Sequence, residues 1–95
     1  MAGKFIRKTP EEINKDIGKN IYNLRRRRKI SRSKLSGLSG VPESSIKRFE
    51  TTGNISLLSL SKIALALNLE KEMEELFSDV PYLSIEEVMR ENKEH

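Results

Sequence analysis

The chain contains no cysteine and no tryptophan, and its one histidine is the final residue, His95. A disulfide framework, a thiolate metal site and a redox thiol are therefore excluded. So is chemistry that needs an imidazole in the body of the chain. Aromatics are scarce, with three Phe and two Tyr, and proline occurs three times in 95 residues. No apolar run approaches the ~18 residues of a membrane span, and the N-terminus carries no signal-peptide core. The expectation is a cytoplasmic protein with no membrane contact. Glycine-rich phosphate loops and spaced metal ligands are also missing. Neighbouring carboxylates such as Glu74 and Glu75 read as solvated helix face. An enzyme is not expected, nor a need for any cofactor or metal.

What the chain has is charge, unevenly placed. Residues 1–34 hold twelve Lys/Arg against three Asp/Glu, a surplus of nine positive charges. Residues 35–95 hold six against eleven, a deficit of five, and the whole chain carries +4. A chain polarised in this way attracts a polyanion with one surface and presents a different one elsewhere. Ninety-five residues make one domain, whose small core is marginal unless its helices pack well or the chain oligomerises.

Helical signals dominate. Residues 1–8 read as a flexible basic arm. Thr9-Pro10-Glu11-Glu12 is a strong helix start, with a cap, a proline at the first helical position and a capping-box glutamate. Ile13, Ile17, Ile21 and Leu24 then form a stripe at helical spacing, and the helix is expected to run to about Arg28. Ser31 caps a second helix with Leu35 and Leu38 facing inward. Gly40 suits a sharp helix exit. Pro42 opens a third helix with Ile46 and Phe49 inside, ended by Thr51, Thr52, Gly53 and Asn54. Ser56 or Ser59 opens a fourth, carrying Leu60, Ile63, Ala64 and Leu67. A short fifth helix over 70–77 turns Met73, Leu76 and Phe77 inward. After a linker at 78–81, Ser84 opens a final helix with Ile85, Val88 and Met89. The expected core is Ile13, Ile17, Ile21, Leu35, Leu38, Ile46, Phe49, Ile63, Leu67 and Phe77. No strand pattern is convincing.

The most informative stretch is LSGLSGVPESSIKRFE, residues 35–50. Two short amphipathic patterns meet at a tight Ser39-Gly40-Val41-Pro42 turn, and a polar, partly basic face follows. A helix-turn-helix reads in this way. Just upstream lies Arg25-Arg26-Arg27-Arg28-Lys29. Part of that run complements the C-terminal dipole of the first helix. Beside a compact helix pair, it also points to a nucleic-acid phosphate backbone as partner.

Leu24-Arg25, Ile30-Ser31, Leu35, Leu38-Ser39-Gly40-Val41, Ser44-Ser45-Ile46, Arg48-Phe49-Glu50 and Leu60…Ile63-Ala64…Leu67 together resemble the lambda/434-repressor-like (Cro/C1, xenobiotic-response-element) helix-turn-helix family. The resemblance covers about residues 13–77. It implies an all-α fold: a five-helix helix-turn-helix domain at 9–77, here with an additional C-terminal helix in the tail 78–95. It also implies a third helix in the DNA major groove and a second crossing the backbone. Carried over, Ser31 and Arg32 touch phosphate. Glu43, Ser44, Ser45, Lys47 and Arg48 occupy the exposed face of the recognition helix. Arg25 and Glu50 match a pair joining the first helix to the end of the third. The family usually has Gln at Arg32, Ser or Thr at Pro42 and often Gly at Lys29. The loop after Glu50 offers Thr51, Thr52 and Asn54 in place of basic residues.

Arg48 is the best base reader, since guanidinium grips guanine O6 and N7 together. Lys47 reaches a base or a phosphate, and Ser44 and Ser45 permit close approach. Glu43 either accepts from cytosine N4 or complements the helix N-terminus. Arg25 and Glu50 are read as a structural ion pair. Tyr82, Leu83, Ile85, Val88 and Met89 are many apolar residues for a tail beyond a complete domain. They cover a flank of the core or, as favoured here, contribute to dimerisation. The expected protein is a homodimeric, sequence-specific regulator of double-stranded DNA, acting as a repressor on an inverted-repeat operator. The tail from Leu76 to Asn92 is also similar to the ends of antitoxins that pair with HipA-like kinase toxins. That likeness implies a toxin protein as an alternative partner, with the acidic residues 70–94 as the operative surface.

Overall fold

A computed structural model describes residues 8–94, with side chains through residue 92. The basic arm at 1–8 lies outside the described residues except for Lys8, which pairs with Asp16. Six helices follow in order: α1 Pro10–Arg27, α2 Arg32–Ser39, α3 Glu43–Thr52, α4 Leu57–Ala66, α5 Glu70–Glu74 and α6 Ile85–Glu94. No strand occurs among the described residues, and the all-α architecture with an added C-terminal helix stands.

Local chemistry sets most helix starts. The Thr9 Oγ1 accepts from the Glu12 amide at 3.1 Å, and Glu12 Oε1 accepts from the Thr9 amide at 2.8 Å. This reciprocal box satisfies two donors that the first turn leaves free. Ser31 Oγ accepts from the Lys34 amide and Ser56 Oγ from the Ser59 amide, each at 3.0 Å. Ser56, not Ser59, is thus the α4 cap. Ser84 caps α6 by accepting from the Glu87 amide at 3.1 Å. Pro42 gives α3 no side-chain cap. Gly40 ends α2 at φ 78°.

Lys29 leaves α1 at φ 58°. Left-handed backbone crowds a Cβ against the next carbonyl, at about 1–2 kcal/mol for an L-residue. Glycine would relieve that crowding, but its greater freedom in the unfolded chain offsets part of the gain. Lys29→Gly is therefore expected to raise stability by up to ~1 kcal/mol, read as a higher melting temperature.

α1 packs on α3, α2 on both α3 and α4, and α4 on α5. Between them lies a core of Ile21, Leu35, Val41, Ile46, Phe49, Ile63 and Leu67. Leu24, Ile30, Ile55, Leu60, Ala66 and Leu69 pack around it.

Several expected core residues lie elsewhere. Leu38 is 56% exposed, while Val41 is 1% exposed. The left-handed turn at Gly40 swings the residue after it into the slot, and the last turn of α2 faces out. Ile13 and Ile17 are exposed, because only the C-terminal half of the α1 stripe lies over the core. Ile17 instead lines a shallow groove with Phe49, Gly53, Ile55, Leu57 and Leu60. Phe77 is 80% exposed and Leu76 half exposed. α5 stops at Glu74, and Phe77 takes φ 65°, so the chain departs from the body there. Thr51 and Thr52, expected in a terminating loop, form the last turn of α3. Their hydroxyls donate back to the Lys47 and Arg48 carbonyls at 2.8 and 2.7 Å.

Candidate nucleic-acid interface

α3 is a two-faced helix. Ile46, Phe49 and Glu50 are buried, while Glu43, Ser44, Lys47, Arg48 and Thr51 are exposed. Residues 44, 47, 48 and 51 recur at helical spacing, so they share one outward stripe. Inner anchoring by Phe49 and Ile46 holds that stripe rigidly on the body. Ser45 is half-buried at its margin. It lines a shallow cleft between α3 and the start of α4 with Arg48, Asn54, Ile55, Ser56 and Ser59. By sequence Ser56 and Ser59 are cap candidates only; their place beside Arg48 depends on how the α3–α4 loop folds. The Asn54 amide donates to Thr52 Oγ1 at 3.1 Å, which ties that loop to the end of α3.

The arginine run is divided by the structure. Arg25 turns into the body and Arg28 reaches across to the Leu67 carbonyl, tying α1 to the end of α4. Arg26 donates to the Tyr22 hydroxyl at 2.8 Å. The Arg25 and Arg26 guanidinium groups lie 5.4 and 5.5 Å from the centre of the Tyr22 ring, within cation–π range. Arg27 and Lys29 stay exposed.

Glu50 is the electrostatic centre of the domain. Its side chain is 1% exposed and that of Arg25 6%. Arg25 Nε donates to Glu50 Oε2 at 2.7 Å and Nη2 to Oε1 at 3.0 Å, a two-pronged contact. Arg25 Nη1 donates to the Ile30 carbonyl at 2.9 Å. The same Oε1 accepts from Arg32 Nε at 2.8 Å. α1, α2 and α3 thus meet at one carboxylate, and Arg25 ties the α1–α2 turn to the group through Ile30. The hydrogen bonds that Arg25 donates to Glu50 raise its guanidinium above the ordinary arginine range, against the opposing effect of burial. No buried side-chain polar atom lacks a partner among the described residues.

An exposed polar helix, held by its apolar face and preceded by a capped helix and a glycine turn, is the geometry of a helix-turn-helix. Residues 20–82 match the family model of the Cro/C1-type HTH DNA-binding domain. The chain belongs to this family. The Cro/C1-type match begins inside α1, takes in α2 through α5, and ends at Tyr82 before α6. No curated protein and no solved structure matches the chain. Among the described residues of this Cro/C1-type domain, no helix is long and apolar enough to cross a membrane. No His, Cys, Asp and Glu cluster of metal-holding size occurs among them either.

Proposed function

We propose that the chain is a sequence-specific regulator of transcription, a homodimer that represses by occupying an inverted-repeat operator in double-stranded DNA. The observation that carries this is the outward stripe of α3, polar throughout and anchored from beneath. In this reading Arg48 grips guanine, Lys47 reaches a base or phosphate, and Ser44 and Ser45 let the helix approach. Glu43 faces the same groove. Ser31, Arg32, Thr51, Thr52 and Asn54 lie toward the backbone. Dimerisation is assigned to Tyr82, Leu83, Ile85, Val88 and Met89. In support, α6 packs against none of the other helices, and Leu83 and Ile85 are 92% and 77% exposed.

One recognition helix reads only a few base pairs, and a two-fold dimer doubles that footprint. Binding sites selected from random DNA should form an inverted repeat with half-sites about one helical turn, ~10 bp, apart or a multiple of it. Arg48→Ala should cost ~1–3 kcal/mol per half-site and relax preference at one base alone. Light scattering should give twice the 10.9 kDa of one chain. A non-palindromic site bound by a monomer, or a mutant consensus unchanged at every position, would defeat this assignment.

The uncovered apolar side of α6, flanked by Glu86 and Glu91, also favours a second reading. Here the chain is an antitoxin whose tail neutralises a HipA-like kinase toxin while the domain autoregulates its operon. A chain that stays monomeric alone, yet binds such a toxin through residues 78–94, is the result expected of it.

A further inference from the structure

Glu50 receives more positive charge than it needs. The two-pronged grip of Arg25 already serves both carboxylate oxygens. Arg32 then adds a second guanidinium at Oε1. Two cations on one carboxylate leave the triad with one surplus positive charge. A surplus charge at the edge of a low-dielectric interior is costly unless its outer side meets water or an anion.

The geometry shows where that outer side is. Arg32 is bound through Nε, the atom nearest its stem, and its side chain is 32% exposed while that of Glu50 is 1% exposed. Guanidinium is planar and rigid. Fixing Nε against a buried oxygen therefore fixes the plane, and the terminal Nη1 and Nη2 groups form the remaining edge. That edge matches two oxygens of a phosphate. Arg32 is also the first residue of α2, where the helix dipole is positive.

We propose that Glu50 is a positioning residue for a phosphodiester clamp, holding Arg32 by Nε so that its two terminal amino groups take one oxyanion of the nucleic-acid backbone. The clamp deepens the DNA-binding reading and rests on it for its natural ligand. The oxyanion brings the fourth charge to the cluster and balances it. Because Glu50 also closes the α1–α3 contact through Arg25, the groups that fix the fold and those that grip the backbone share one carboxylate.

This assignment predicts a sign that a freely mobile surface arginine does not. If Arg32 acted only as a loose positive charge, removing the nearby negative charge in Glu50→Gln would tighten DNA binding. If Glu50 aims it, the same change weakens binding. The full chain is titrated with a random-sequence DNA duplex across a range of salt, with folding followed by circular dichroism. Arg32→Ala should lower the log affinity–log salt slope by about one. Arg32→Lys keeps the charge and the slope but loses the fork, and should weaken binding about tenfold. Glu50→Gln, where folded, should weaken it too. Should Glu50→Gln not fold, the wild-type Arg32 Nε–H decides: held on the Glu50 carboxylate it exchanges slowly with solvent, and exchange as fast as that of an exposed arginine overturns the positioning role.

A second arm uses no DNA. Inorganic phosphate is added to the wild-type chain, with sodium chloride of equal ionic strength as control, and the arginine Nε–H signals are followed by NMR. A saturable shift of the Arg32 signal, identified by its disappearance in Arg32→Lys, is expected with phosphate and not with chloride. Failure of the wild type to bind any duplex would remove the regulator reading, and the phosphate arm would then judge the clamp by itself. Wild-type affinity in Arg32→Lys, tighter binding by folded Glu50→Gln, or an Arg32 signal unmoved by phosphate overturns the proposal.

Discussion

Glu50→Ala is expected to destabilise the domain by about 3–5 kcal/mol, the range found when one partner of a buried ion pair is removed. The change deletes the acceptor of three N–H groups and leaves Arg25, 5% exposed, with the Ile30 carbonyl as its remaining hydrogen-bond acceptor and the Tyr22 ring beside it. Small domains have roughly 5–15 kcal/mol in total, so much of the variant population should be unfolded. Urea denaturation measures it. Arg25→Ala should be severe too, yet the double mutant should lose less than the two singles together, because the pair acts as one unit. Strict additivity would mean that the two side chains do not meet. Alkaline pH should not release the pair. A raised pKa contributes stability that is complete below the ordinary value and lost only as pH rises through the raised one. For Arg25 that point lies above the ordinary arginine range.

Gly53→Ala is expected to be nearly as damaging, for a steric reason. A Cβ at Gly53 would stand 2.5 Å from the Asn14 carbonyl carbon and from the Lys15 amide nitrogen, both backbone atoms of α1. Backbone cannot step aside as a flexible side chain can. The residue also sits at φ 85°, ending α3. Left-handed strain of ~1–2 kcal/mol and overpacking of ~1–3 kcal/mol together predict a loss of about 2–5 kcal/mol. Gly18 makes the other close approach: its Cβ would lie 2.3 Å from the Phe49 carbonyl oxygen. These two glycines let α1 settle against α3 and so fix where α3 sits. At Gly37, inside α2, a Cβ would meet nothing within 4 Å. Gly37→Ala should therefore stabilise by ~0.5–1 kcal/mol, since glycine weakens a helix interior. Thermal melts of the two variants should move in opposite directions. A Gly53→Ala chain that melts with the wild type would contradict the close approach of α1 and α3.

The amino-acid sequence by itself determined whatever is decided within a few residues. The caps Thr9, Ser31 and Ser84, the exit at Gly40 and the uncapped start at Pro42 all involve groups at most four positions apart. Such hydrogen bonds depend on residue type and spacing alone. The inner face of α3 was legible for the same reason, since Ile46 and Phe49 mark it by period. Only the tertiary structure decided how much of each stripe is covered. Ile13, Ile17, Leu38 and Phe77 have the right residue type and spacing for a core, yet all four stay exposed, Ile17 at the edge of a shallow groove. Val41 sits outside any helical period and is buried because a left-handed turn delivers it there. Arg32 and Glu50 stand eighteen positions apart, and their bond exists because α2 and α3 cross beside the end of α1. Helical period states which residues can point the same way; the presence of something to point at is a property of the packed chain.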